Sequence, residues 1–172
     1  MTTTNNLTPL IEASRKEASR IEEDCNYSSK SHFNAASAWT LRHYWIGVPA
    51  TILGACAGAA IIKNNIEIAG FLSLAATILT GLMTFLKPTE AASAHKSVAD
   101  RLLSLKREAR IFREVKLLTM TKAETISSGI EALSEKYKEL NEGSLPIPRS
   151  AFEKARKGIK AGESNYQADK EN

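Results

Sequence analysis

Between Tyr44 and Ile62, and again between Ile68 and Leu86, the chain has no Asp, Glu, Lys, Arg or His. That removes the intramembrane ionisable groups on which proton relays, voltage sensors and ion-coupled transporters rely. Cysteine is scarce: Cys25 and Cys56 are the two present, neither with a His, Asp or Glu at metal-ligand spacing, so both read as small apolar fillers. The three histidines, His32, His43 and His95, stand apart from one another and from any carboxylate at ligand spacing. The sequence also lacks a phosphate-cradling glycine loop and a serine in a strand–turn–helix setting. No catalytic residue, metal site or cofactor is expected, and the chain does not read as an enzyme. Nor does one sign of charge dominate, with 23 basic against 19 acidic residues and a net charge of +4. That balance, with no nucleic-acid-reading motif, argues against direct nucleic-acid binding.

What is present is two apolar runs of roughly 19 residues each, either of which spans ~28 Å as an α-helix, the thickness of a bilayer's hydrocarbon core. Only Lys63-Asn64-Asn65-Ile66-Glu67 separates them. A soluble helix of that length normally turns a charged face to water. The expected fold is therefore all-α: a two-helix transmembrane hairpin over 44–86, with amphipathic cytoplasmic helices before and after it. The lipid bilayer is the first expected partner. The competing reading is a soluble four-helix bundle with two helices buried all round, for which a chain of 172 residues has little covering material. The amino terminus lacks the basic start and apolar core of a secretory signal, and the first apolar run begins too late to be one.

Charge places the ends. Arg42 and His43 precede the first run, with Lys30 further upstream, and Lys87, Lys96, Arg101, Lys106, Arg107, Arg110, Arg113 and Lys116 follow the second. The connecting loop carries only Lys63 and Glu67. Basic residues collect on the cytoplasmic side, so both termini are expected there. Trp39, His43, Tyr44 and Trp45 gather within two turns as interface anchors, because rings with a polar edge favour the headgroup layer. Pro49, one turn further in, is expected to kink the first membrane helix.

Outside the hairpin the pattern divides into a disordered start (1–6), an amphipathic segment (7–43), helices with coiled-coil-like seams (87–143), a proline-containing turn with a short helix (144–163) and a frayed tail (164–172). Leu7, Ile11, Ser14, Ala18, Ile21 and Cys25 form a narrow seam, and Asn26-Tyr27-Ser28-Ser29 is a candidate interruption. Ala91, Ala94, Val98, Leu102, Leu105, Ala109 and Phe112 form a second stripe, which falters at Thr119–Thr121. Ile126, Ile130, Leu133, Tyr137 and Leu140 then keep three-four spacing, a coiled-coil seam for an oligomer or partner. Gly143, Pro146 and Pro148 end that helix, and Ser150 with Glu153 fits a capping box for the last one.

Two stripes inside the hairpin are small or polar. Gly47, Thr51, Gly54 and Gly58 suit close packing of transmembrane helices, and Gly54 and Gly58 make G-x-x-x-G. Ser73, Thr77, Thr80 and Thr84 repeat the same spacing in the second helix. Such hydroxyls either pack helices together or line a narrow pore built from several copies. The basic residues Lys106, Arg107, Arg110 and Arg113 read as a solvated face partly paired with Glu108 and Glu114, or as a contact for anionic headgroups.

Several residues in order resemble a family: Tyr27, Ser31-His32-Phe33-Asn34-Ala35-Ala36, Trp39-Thr40 and Arg42-His43-Tyr44-Trp45-Ile46-Gly47-Val48-Pro49-Ala50 before and into the hairpin. After it come Leu86-Lys87-Pro88, Ala94-His95, Arg101 and Leu105-Lys106-Arg107-Glu108, then Pro148, Phe152, Ala155, Ile159 and Gly162-Glu163. From about Ile21 to Glu163 the chain resembles a SLATT domain, the two-transmembrane effector domain associated with SMODS nucleotidyltransferases and SLOG sensors. The resemblance implies a bacterial antiviral or conflict effector that perforates the inner membrane. It further implies a separately encoded sensor: a nucleotide second-messenger synthase, a SLOG protein or a reverse transcriptase. It carries over no catalytic residue and no assigned pore lining.

The expectation is thus a homo-oligomeric pore-forming effector in the inner membrane, opened by a partner and depolarising the cell. The rival expectation is a membrane-anchored scaffold that recruits a soluble partner and conducts nothing. A toxin acting without any partner is disfavoured by the long cytoplasmic portion.

Overall fold

The computed structural model describes residues 7–166, so the expectations for 1–6 and for the end of the tail lie outside the described residues. All regular structure among them is helical. The elements are α1 (Leu7–Ile62), α2 (Ile66–Leu86), α3 (Pro88–Ile111), a π-helical turn (Phe112–Lys116), α4 (Leu117–Thr119), α5 (Ala123–Glu142) and α6 (Arg149–Lys160). They form two compact units: Ala36–Ala94, and the described residues up to Ala35 together with those from His95 onward.

Helix α1 runs 56 residues without a break. The expected interruption at Asn26–Ser29 is absent because the hydroxyls there feed the helix: Ser29 donates to the Asn26 carbonyl at 3.2 Å and Ser31 to the Tyr27 carbonyl at 2.7 Å. Pro49 lies within the same unbroken helix. The turn after α1 uses Asn64 at φ 59°, and Lys87 at φ 44° separates α2 from α3, where Pro88 occupies the first helical position.

In the unit formed by the chain ends, the core joins Ala18, Ile21 and Cys25 of α1 to Leu102, Leu105 and Ala109 of α3 and to Ile126, Leu133 and Leu140 of α5. Leu7, Leu10, Ile11, Ile130 and Tyr137 pack on its margin. The residues proposed as an oligomer or partner seam are therefore spent inside the chain's own core. The seam's spacing is correct, but its complement is α1 and α3 of the same molecule. Phe112 opens the π-helical turn, and its ring lies over Gly129 of α5, where an added Cβ would come within 2.5 Å of Cε2.

Three further corrections concern polar residues. Pro148, not Ser150, caps α6, without any side-chain bond, and Glu153 instead faces Arg156 at 3.6 Å. Lys106 is 8% exposed rather than solvated, and Arg113 keeps the expected pair with Glu114 but also turns inward to Glu22, each at 2.9 Å, while Glu108 pairs with Lys136. The tail is ordered as far as described: Gly162 turns at φ 86°, Glu163 pairs with Lys30, and Tyr166 lies against Arg110.

Candidate functional site

Two helices are long and apolar enough to cross a membrane, and only 6% of each apolar stretch is buried within the molecule. The core helix of a soluble protein would be covered, so this exposure carries more weight than the length. Trp45 is 72% exposed, Phe71 76% and Phe85 84%, an extent of bare apolar surface that marks a membrane or protein contact.

Within Ala36–Ala94, the covered residues of α1 include Ile46, Gly47, Ala50, Leu53 and the buried Ala57. Those of α2 include the buried Ala69 with Leu72, Ala75, Ala76, Leu79 and Met83. Gly47 sits 3.7 Å from the Met83 methyl, measured from the position a Cβ would take. Of the glycine stripe, Gly47 is thus used in the close approach, whereas Gly54 and Gly58 have nothing within 4 Å. Gly54 and Gly58 therefore take no part in the contact between these two helices. Thr51 is exposed and donates to the Gly47 carbonyl at 2.9 Å.

The hydroxyl stripe lies on the face that this packing leaves bare. Ser73, Thr77, Thr80 and Thr84 are all exposed, one step around α2 from its covered residues. Thr77 donates to the Ser73 carbonyl at 2.8 Å, Thr80 to that of Ala76 at 2.9 Å and Thr84 to that of Thr80 at 3.1 Å. Each proton is thereby satisfied within its own helix, while the oxygen keeps a lone pair for an outside donor. Ala76, Thr77, Thr80, Gly81, Thr84 and Phe85 line a shallow groove along this face.

The aromatic anchors are arranged by local contacts. Arg42 stacks over Trp39 at 4.4 Å, His43 shares a 3.2 Å hydrogen bond with Thr89, and the rings of His43 and Tyr44 meet edge-on at 5.5 Å. No group of three or more His, Cys, Asp or Glu side chains suits a metal ion among the described residues.

Sequence reasoning missed a buried polar pair in the other unit. His32 and His95, treated as isolated because 63 positions separate them, meet ring to ring with Nδ1 atoms 2.8 Å apart. No short-range spacing signals such a pair.

Comparison with known proteins adds no relative: no family model, no curated protein and no solved structure matches the chain.

Proposed function

We propose that this protein is a two-pass membrane protein whose apolar helices form a transmembrane hairpin and assemble with those of other copies into a gated pore. The observation that carries the reading is the Ser73, Thr77, Thr80 and Thr84 face: a hydroxyl stripe turned away from α1 on an otherwise apolar helix. One hairpin cannot enclose water, so several copies are required, each contributing this face. Hydroxyls already bonded to their own helix tolerate lipid or a neighbouring copy while the pore is closed, and accept water when it opens. The basic residues flanking the apolar stretches favour both termini on the cytoplasmic side. The resemblance to the SLATT family supports a bacterial inner-membrane effector, opened by a separately encoded sensor and depolarising the infected cell. Opening requires that sensor to bind the open arrangement better than the closed one.

A second reading has its own support. Ile111, Val115 and Leu118 are 42, 56 and 73% exposed at four- and three-residue steps, a surface on which a scaffold would seat a soluble partner. The α5 seam, occupied within the chain, no longer serves that purpose.

Membrane potential separates the two. Induction in bacteria, with fractionation confirming membrane insertion, is expected to depolarise cells, alone or with the cognate sensor. Thr77→Leu with Thr80→Leu is expected to abolish depolarisation without reducing insertion. A normal potential with the sensor present and active would leave the scaffold. Unchanged depolarisation in the double variant would remove the proposed lining.

A further inference from the structure

Lys106 is a lysine with its side chain almost wholly withdrawn from water, and among the described residues no carboxylate pairs with it. Its ammonium donates to Asn26 Oδ1 at 3.0 Å and otherwise faces the Tyr166 ring at 5.2 Å. Two of its three N–H donors are left to that ring or to the space beside it. Arg110, one turn on, places its guanidinium 4.5 Å from the same ring and makes no ion pair among the described residues. Arg113 spends its terminal nitrogens on Glu22 and Glu114, each at 2.9 Å, but its Nε–H is buried without an acceptor. Lysine and arginine are seldom buried unless a counter-charge meets them, and an orphaned donor in such a place needs an acceptor.

Lys106 and Arg113 lie on the wall of one cleft of about 430 Å³ with Tyr166 at its edge, and Arg110 reaches it only through the Tyr166 ring. Glu22 and Glu23 also line it, but Glu22 is held by Arg113 and Glu23 is exposed. The wall itself carries two cations and two carboxylates; with the Arg113–Glu22 pair set aside, Lys106 is opposed only by the exposed Glu23, and Arg110 adds a cation at the capping ring of Tyr166. The ring of Tyr166 offers its weakly negative face to two cations, a poor substitute for an anion, whose charge-assisted hydrogen bonds are about twice as strong as neutral ones.

We infer that this cleft is a binding site for a small phosphate-class polyanion, held by Lys106, Arg110 and the Arg113 Nε–H, with Tyr166 as a displaceable cap. The donor set is compact and multiply cationic, which suits a group carrying two or more acidic oxygens. The site stands apart from any conduction by the apolar helices.

The test is calorimetric titration of inorganic pyrophosphate into the full-length protein at low salt, in nanodiscs of zwitterionic lipid and separately of anionic lipid. Saturable one-to-one binding is expected, weakened at least tenfold by Arg110→Gln and by Lys106→Met, and tightened by Tyr166→Ala. Arg110 is only half-buried, so its variant tests the site even if the Lys106 variant fails to fold. Equal affinity in both lipids assigns the site to a free anion, and weaker binding in anionic lipid assigns it to a headgroup phosphate. Absence of saturable binding in both the wild type and Tyr166→Ala would overturn the inference, as would binding indifferent to Arg110→Gln.

Discussion

His32 on α1 and His95 on α3 stand within hydrogen-bond distance, their Nδ1 atoms 2.8 Å apart, with both side chains buried at 1 and 2% exposure. One ring donates and the other accepts, so the two imidazoles are held in opposite tautomers. Burial first, then the neighbouring His95, pushes His32 down to about 4, and burial lowers His95 as well.

The sign of the pH dependence follows from those depressed values. Between about 6.5 and 4 the unfolded chain binds protons that the folded pair refuses. The stabilisation is therefore complete above about 6.5 and is lost as pH falls toward 4, by a few kcal/mol on the order expected for such a shift. Thermal unfolding in detergent, followed by circular dichroism, is expected to show Tm falling over this window. In the doubly substituted His32→Leu, His95→Leu chain the curve is expected to flatten; an identical slope would assign the dependence to other groups.

Gly129→Ala is expected to destabilise by about 1–3 kcal/mol, because its Cβ would meet the buried Phe112 ring at 2.5 Å, where the core has little room to yield. Phe112→Leu in the same background is expected to restore part of the loss. Denaturant midpoints of the single and double variants check both, and full additivity would place the strain elsewhere.

Gly54→Leu and Gly58→Leu are expected to leave helix content unchanged, since nothing lies within 4 Å of either position. If the exposed G-x-x-x-G serves contacts between copies, as the proposed assembly requires, cross-linking in membranes is expected to lose its oligomer ladder. An intact ladder would remove these glycines from the interface.

The two thiols are expected to differ in reactivity. Burial, then Asp24 and Glu22, push the Cys25 thiol up to about 12 against the opposing effect of Lys106, so almost no thiolate is present at pH 8. A maleimide is expected to spare Cys25 until the protein unfolds. Cys56 is exposed on α1, and its labelling in intact membranes would report water at that depth.

Lys30 and Glu163 clasp the tail to α1, and Gly158 leaves the space in which they meet. Lys30 is 24% and Glu163 61% exposed, so Glu163→Gln is expected to cost at most about 1 kcal/mol. Its clearer effect is local: amide exchange at Gly162–Tyr166 is expected to quicken while the core amides stay protected. Unchanged exchange would show that the backbone bonds of Gly162–Asn165 and Tyr166 on Arg110 hold the tail without the ion pair.

Much of this could be read from residue order because repeating patterns specify a helix and the side of it that must be covered. The seam Leu7–Cys25, the apolar spacing of Ile126–Leu140, the stop at Lys87-Pro88 and the break after Thr119 all appear where spacing, proline and helix-stop chemistry put them. So do two stretches long and apolar enough to cross a membrane. Their lack of charge is a property of composition, independent of packing.

A pattern names a face but not its neighbour, and the neighbour depended on how the chain folds back. The Ile126–Leu140 face met α1 and α3 of its own molecule instead of another copy. Gly54 and Gly58 were left bare while Gly47 met Met83, because the covered face of α1 runs through Ala50, Leu53 and Ala57, and the two bare glycines lie one step around the helix from it. Lys106 and Arg113 turned inward, and His32 found His95, through contacts between residues 80, 91 and 63 positions apart. Such pairings depend on tertiary packing, and no local periodicity encodes them.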